Sequence, residues 1–182
     1  MFVGIIFEGP DASGKSTLAR KVRDASGKEL YLAGGKPKDD AEMWSMIRDQ
    51  QKALERGALV DRVSSISQQV YREGLFFRPD LMNEAMTLVT DGHLLVYCRP
   101  PDTVLLDPSK HEWKPYDTDE WKQTILGNQP TYIQRYDLLM SKFPCIIYDW
   151  TSEESTHIEQ LLADIASPGV GEALQQLMGR QR

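Results

Sequence analysis

The chain has 182 residues, enough for one well-buried α/β core and too few for two comfortable domains. Hydrophobic residues make up 41% and charged residues 26%, as in ordinary globular proteins, and no stretch approaches the ~20 apolar residues of a membrane span. The net charge of −6 argues against a surface built to lie along a polynucleotide backbone, without excluding a local basic groove.

Phe2-Val3-Gly4-Ile5-Ile6-Phe7-Glu8 is apolar and rich in β-formers, and predicts a first strand. It starts at the second residue, so no leader segment is expected and the chain reads as cytoplasmic. The strand runs into Gly9-Pro10-Asp11-Ala12-Ser13-Gly14-Lys15-Ser16, which fits Gly-x4-Gly-Lys-[Ser/Thr] without a mismatch, and Thr17 to Arg23 continues as a helix former. Glycines let successive amides turn toward one anion, and the following helix aims its positive end there. Gly9, Pro10, Asp11, Ala12, Ser13, Gly14, Lys15, Ser16 and Thr17 are therefore expected to cradle a triphosphate. Lys15 is placed on the β- and γ-phosphates and the Ser16 hydroxyl on a magnesium ion. ATP with Mg²⁺ is the ligand this context implies. The bland reading is a Gly-rich turn that binds nothing. Arg20, Lys21 and Arg23 read as the solvated face of the helix.

Glu29 to Ala33 predicts a second strand, broken by Gly34-Gly35-Lys36-Pro37. Asp39 or Asp40 caps a helix whose Trp44, Ile47, Gln51 and Leu54 fall at helical spacing, ended by Gly57. Ala58-Leu59-Val60 leads into Asp61-Arg62, followed by helices at 64–73 and 79–90, the latter opened by Pro79. Leu94 to Cys98 is a strand closed by Arg99-Pro100-Pro101. Residues 107–130 are polar and weakly periodic, with a short helix around Glu120 to Leu126, and are expected to form a lid. Trp113 and Trp121 within them read as packing residues for the closed lid. A helix at Thr131 to Met140, a strand at Pro144 to Tyr148, and helices at about 152–166 and 170–180 complete the order. Cys98 and Cys145 read as buried thiols, and His93, His111 and His157 have no metal-ligand spacing.

Five short, nearly all-apolar strands separated by helices imply one α/β domain over residues 1–182: a parallel five-stranded sheet with helices on both faces. Ligands of such sheets bind at the carboxyl ends of the strands. Asp11, Lys36, Asp61-Arg62, Arg99 and Asp149 each follow one of the five strands. Asp61-Arg62 is otherwise a strand-end ion pair or helix cap, and Lys36 part of a tight loop. Phe76 and Phe77 are an adjacent aromatic pair, of which one is free to stack a base.

The run Phe7 to Thr17 resembles the loop of thymidylate kinases, Phe/Ile-Glu-Gly-x-Asp-x-x-Gly-Lys-[Ser/Thr]-Thr. Asp61-Arg62 followed by Ser67 and Tyr71 is similar to the Asp-Arg motif of thymidylate kinases and phage-type deoxynucleotide kinases. Arg99-Pro100-Pro101 resembles the element before their lid, and Asp149 to Ser152 the loop that cradles adenine. The resemblance implies a three-layer P-loop fold with a lid, and it implies roles. Lys15 and Ser16 hold triphosphate and metal; Asp11 lies between the donor phosphates and the acceptor sugar. Arg62 grips the acceptor phosphate, Asp61 supports Mg²⁺ through water, and Tyr71 lines the acceptor pocket. Lys36, Phe77 and Arg99 complete the expected acceptor side. The departures are Val63 for a Tyr, Gln68 for a Glu, and Ala12 for the loop arginine of some members. Residues 107–130 hold no arginine, only Lys110, Lys114 and Lys122, so either a lysine or an arginine elsewhere, Arg99 or Arg135, supplies that charge, or the acceptor is not a standard one.

The leading expectation is transfer of the ATP γ-phosphoryl to a deoxynucleoside monophosphate, dTMP or a modified deoxypyrimidine first. A hydroxyl kinase is the alternative, acting on a nucleoside or on a hydroxymethylated pyrimidine in DNA, with Asp11, Asp61 or Glu8 near the hydroxyl. A regulatory P-loop ATPase module is the third. Expected partners are a small nucleotide, DNA under the alternative, and a second copy of the chain; a membrane is not among them.

Overall fold

The computed structural model describes residues 4–32, 35–72, 77–111, 113 and 118–167. Expectations placed on Phe76, Lys114 and the helix at about 170–180 lie outside these residues. Strands β1 (Ile5–Glu8), β2 (Leu30–Leu32), β3 (Leu59–Asp61), β4 (Leu94–Cys98) and β5 (Ile146–Tyr148) form one parallel sheet in the order β2-β3-β1-β4-β5. Ile6 stands opposite Val60 on one side and Leu95 on the other, so β1 is central and flanked twice.

The helices are α1 (Lys15–Ser26), α2 (Asp40–Glu55), α3 (Ser64–Tyr71), α4 (Pro79–Thr90), α5 (Asp102–Leu105), α6 (Asp119–Met140) and α7 (Ser155–Ala166). A 3-10 turn spans Pro108–Lys110. Side-chain alternation along the strands divides the core. Ile5, Phe7, Leu59, Val96 and Cys98 face α1 and α7 through Leu18, Val22, Leu162 and Ala166. Ile6, Val60, Leu95 and Tyr97 face the other way, onto Leu54, Ile66, Val70, Ala85 and Tyr136. Ile5, Ile6 and Phe7 are wholly buried, and each such side chain stabilises the fold by roughly 1.5–3 kcal/mol. The same period of two puts Glu8 on the side of Ile6, beneath α6.

Asp39 is the cap of α2, its side chain accepting from the Glu42 amide at 2.8 Å. The inward stripe of α2 holds Met43, Ile47, Gln50 and Leu54, while Gln51, expected on that stripe, is half-buried and donates to Glu84 at 2.7 Å. The larger difference is α6. Two helices were expected on either side of Gly127 to Pro130, and the structure has one continuous helix of 22 residues with Pro130 inside it. Gly and Pro disfavour a helix interior locally. Here Ile125, Gln129, Ile133, Tyr136 and Met140 form an unbroken buried stripe across the proline, and tertiary packing on both sides of it overrides the local preference. Residues 119–130 of the expected lid are therefore the first half of α6. The two cysteines are unpaired, Cys98 buried and Cys145 half-buried. Among the described residues no helix is long and apolar enough to cross a membrane.

Candidate active site

The loop after β1 has the geometry its glycines require. Gly9 has φ 151°, and a Cβ there would stand 2.5 Å from the Cys98 carbonyl oxygen. Gly14 has φ 81° at the entry of α1, and a Cβ there would collide with the Trp150 ring at 2.7 Å. Lys15 is 7% exposed and donates from Nζ to the Pro10 carbonyl at 3.2 Å, folding back over its own loop. Burial, followed by the nearby charge of Arg62, lowers its pKa. Ser13 is wholly buried and its hydroxyl has no hydrogen-bond partner among the described residues.

Asp11 lies between two cations. Arg62 Nη2 is 2.7 Å from Asp11 Oδ1, and Lys15 Nζ is 4.0 Å from the same oxygen. Burial pushes the Asp11 carboxyl up, but the charges of Arg62 and Lys15 outweigh it and hold the pKa at about 2. Arg62 follows β3 with φ 70°, a left-handed conformation that is costly for any residue with a Cβ. Its Nη2 also donates to the Tyr71 hydroxyl at 2.8 Å, with the guanidinium carbon 4.8 Å from the Tyr71 ring centroid. Beneath this group Glu8 is wholly buried and accepts from the Val63 amide at 2.7 Å and the Tyr136 hydroxyl at 3.1 Å. Burial raises the Glu8 pKa to about 7 against the opposing hydrogen bonds and charges.

These elements border one cleft of about 1440 Å³ at the carboxyl ends of the strands. Asp11, Ala12, Gly14, Lys15, Ser16, Thr17, Lys36, Asp61, Arg62 and Tyr71 all line it. So do Arg20 and Lys21, which the sequence reading assigned to solvent; Lys21 pairs with Glu159 at 2.8 Å. Cationic side chains outnumber acidic ones along the lining, in a chain of net charge −6. Ser16 and Asp61 supply a hydroxyl and a carboxylate, the hard oxygen donors that Mg²⁺ takes. No group of three or more His, Cys, Asp or Glu residues could hold a metal among the described residues. A cation between Ser16 and Asp61 would complete its shell from phosphate and water oxygens.

Two expected acceptor residues stand elsewhere. Arg99 is engaged by Asp137 at 2.8 Å and Asp102 at 2.7 Å, and is not among the cleft residues. These carboxylates follow it from the start of α5 and from α6, so the arginine closes a structural joint. Phe77 is 52% exposed and also lies off the cleft. Of the charges considered for residues 107–130, Lys110 lines the cleft, whereas Lys122 is paired with Asp119 at 3.0 Å. Arg135 lines the cleft and donates to the Val70 and Arg72 carbonyls, each at 2.9 Å. Trp113 and Trp121 also line it, Trp113 with its ring stacked on His111 at 5.0 Å.

Sequence reasoning passed over Gln50 and Gln129, both 1% exposed and both bonded into the site. The available signal was a glutamine at an inward position of an otherwise apolar helical stripe, since a buried amide must find partners.

No family model matches the sequence, and no curated protein sequence matches it. Solved structures share its fold. The YorR protein of Bacillus subtilis, in complex with phosphorylated GDP, superposes with a TM-score of 0.63 at 16% identity, covering 87% of this chain and 92% of its own. Shikimate kinase from Acinetobacter baumannii, bound to shikimate, gives 0.52 at 13% identity over 99% of this chain and 95% of its own. Deoxyadenosine kinase from M. mycoides, bound to dATP, gives 0.51 at 15% identity over 91% of this chain and 100% of its own. What the chain shares with them is the fold, a parallel five-stranded α/β sheet with helices on both faces.

Proposed function

We propose that the chain is an ATP-dependent kinase that phosphorylates a deoxynucleoside monophosphate, a deoxypyrimidine such as dTMP before others. The observation that carries this reading is the bracketing of Asp11 by Lys15 and Arg62 within one cleft. One cation belongs to the triphosphate loop. The other is a strand-end arginine whose amide still bonds to the Phe7 carbonyl of β1 at 3.0 Å while its left-handed backbone turns the chain out of β3. Two cations so placed suit two phosphates that must meet despite their repulsion. The YorR complex with phosphorylated GDP and the deoxyadenosine kinase bound to dATP make a nucleotide ligand a natural choice for this fold.

The choice of a phosphate over a hydroxyl as acceptor rests on the carboxylates. A hydroxyl acceptor needs a base, and Asp11 at a pKa of about 2 is a weak one. Glu8 has a pKa near 7 but is wholly buried, bonded on both oxygens, and absent from the cleft lining. An acceptor phosphate oxygen is already an anion. It attacks the γ-phosphorus, the bond from that phosphorus to the bridging β–γ oxygen breaks, and ADP departs with the electron pair. Lys15 holds donor phosphate charge, Arg62 exchanges Asp11 for the acceptor phosphate, and Asp11 orients the acceptor sugar. Bound Mg²⁺ would neutralise donor phosphate charge, held by Ser16 and supported by Asp61.

A panel of ATP with dTMP, the other deoxynucleoside monophosphates, thymidine and hydroxymethyluracil-containing DNA tests the reading. Diphosphate formation from a deoxypyrimidine monophosphate is the expected result. Phosphorylation of thymidine or DNA alone would replace it with hydroxyl transfer, and acceptor-independent ATP hydrolysis with an ATPase module.

A further inference from the structure

The turn between β3 and α3 places Arg62, and its conformation is not one an arginine adopts unaided. A left-handed non-glycine residue is strained and persists only where its surroundings over-determine it. Here the surroundings are explicit. The Arg62 amide donates to the Phe7 carbonyl at 3.0 Å, and the Val63 amide to Glu8 Oε1 at 2.7 Å. Three further hydrogen bonds of the turn come from one side chain on α2. Gln50 Oε1 accepts from the Ser64 amide at 2.8 Å, and Gln50 Nε2 donates to the Ser64 hydroxyl at 3.2 Å and the Arg62 carbonyl at 3.4 Å.

Gln50 is 1% exposed, on a stripe whose other members are Met43, Ile47, Ala53 and Leu54. A leucine would suit that stripe better were packing alone at stake, because a buried amide is tolerated only when its hydrogen bonds are made. Both ends of the Gln50 amide are used on a single turn. Beyond that turn Arg62 reaches Asp11 at 2.7 Å and Tyr71 at 2.8 Å.

We propose that Gln50 is a positioning residue for Arg62: its amide locks the strand-to-helix turn in the left-handed conformation that aims the guanidinium at Asp11 and the acceptor end of the cleft. It touches no substrate. Its kinetic consequence rests on the proposed role of Arg62, whereas its geometric consequence does not.

Two measurements on the full chain separate these. In the first, the Asp11 carboxyl is followed by carbon-detected NMR without ligands between about pH 3 and pH 6, the range in which an unperturbed aspartate titrates. The wild type is expected to stay flat, because Arg62 holds Asp11 ionised, and Arg62→Ala to show a titration in the window. Gln50→Met, close to glutamine in volume, is expected to behave like Arg62→Ala. Gln50→Asn keeps an amide but withdraws it by one methylene, and reads the same signal should the methionine variant fail to fold. A folded Gln50 variant whose Asp11 signal stays flat overturns the proposal.

In the second, ATP and dTMP are used in a double-mutant cycle. Gln50→Met should lower kcat/KM for dTMP by roughly ten- to a hundredfold with the ATP KM unchanged, and should have no further effect in the Arg62→Ala background. An equal loss in both backgrounds marks a merely structural residue. Wild-type protein that does not use dTMP refutes the acceptor assignment and leaves the NMR result to decide the role of Gln50.

Discussion

The side-chain amide of Gln129 donates to the main-chain oxygen of Asp11 at 2.8 Å, tying the middle of α6 to the Gly-rich loop after β1. The same nitrogen lies 3.4 Å from the Leu105 carbonyl, which His111 Nε2 also approaches at 3.3 Å. One buried glutamine thus joins the loop, α6 and the end of α5. Gln129→Leu should leave the Asp11 carbonyl without this donor, lowering stability by about 1–3 kcal/mol. Urea unfolding measures that loss, and a severalfold rise in the ATP KM should accompany it because the loop loses its anchor.

Lys15→Ala should abolish transfer while the far-UV circular dichroism spectrum stays unchanged. Among the described residues the lysine bonds to the Pro10 carbonyl and Asp11 of its own loop, so the core does not rest on its charge. Near-normal turnover by the folded variant would refute the assignment of this loop to the triphosphate.

Arg62→Ala should weaken acceptor use and spare ATP binding. A charge-assisted contact to a phosphate contributes roughly 1.5–3 kcal/mol, or about ten- to a hundredfold in kcat/KM for the monophosphate. The variant should also lose its preference for nucleotide over nucleoside. Unchanged acceptor kinetics would make Arg62 a structural strand-end residue.

The buried Glu8 carboxyl makes stability depend on pH with a definite sign. Its folded pKa is about 7, above the ordinary 4.5, so between these values the native state binds more protons than the unfolded chain. Stability should therefore fall as pH rises from about 4.5 to about 7, and level off above, by an amount of order 3 kcal/mol at most. Asp11 acts in the opposite sense only between about pH 2 and its ordinary 3.8, below this window. Glu8→Gln should flatten the slope, which urea midpoints at pH 5, 6, 7 and 8 would reveal. A wild-type slope retained in the variant would assign it to another group.

Trp121 is 49% exposed and borders the cleft from the first turn of α6, and Lys110 of the preceding segment lines the same cleft. Closure of this side over bound nucleotides should change its fluorescence and protect residues 107–130 from proteolysis, with the signal lost in Trp121→Phe. Equal protection with and without a bisubstrate analogue would identify a fixed connection.

The Gly-rich turn after β1, the five strands in their chain order and the strand-end placement of Asp11, Lys36 and Asp61-Arg62 were legible from residues close together in the chain. Turn chemistry at Gly9 and Gly14 and apolar runs in β1 and β4 are local signals, and local stereochemistry enforces them wherever the chain goes. What the tertiary structure alone decided is which side chains meet across long separations. Arg99 follows a strand end just as Arg62 does, yet Asp102 and Asp137 capture it, while Arg62 turns left-handed toward Asp11. The break expected near Pro130 disappeared because buried residues on both sides of the proline pull α6 into one line. Gln50 and Gln129 read as ordinary helical positions until packing buries them, and only then must their amides find the backbone they hold.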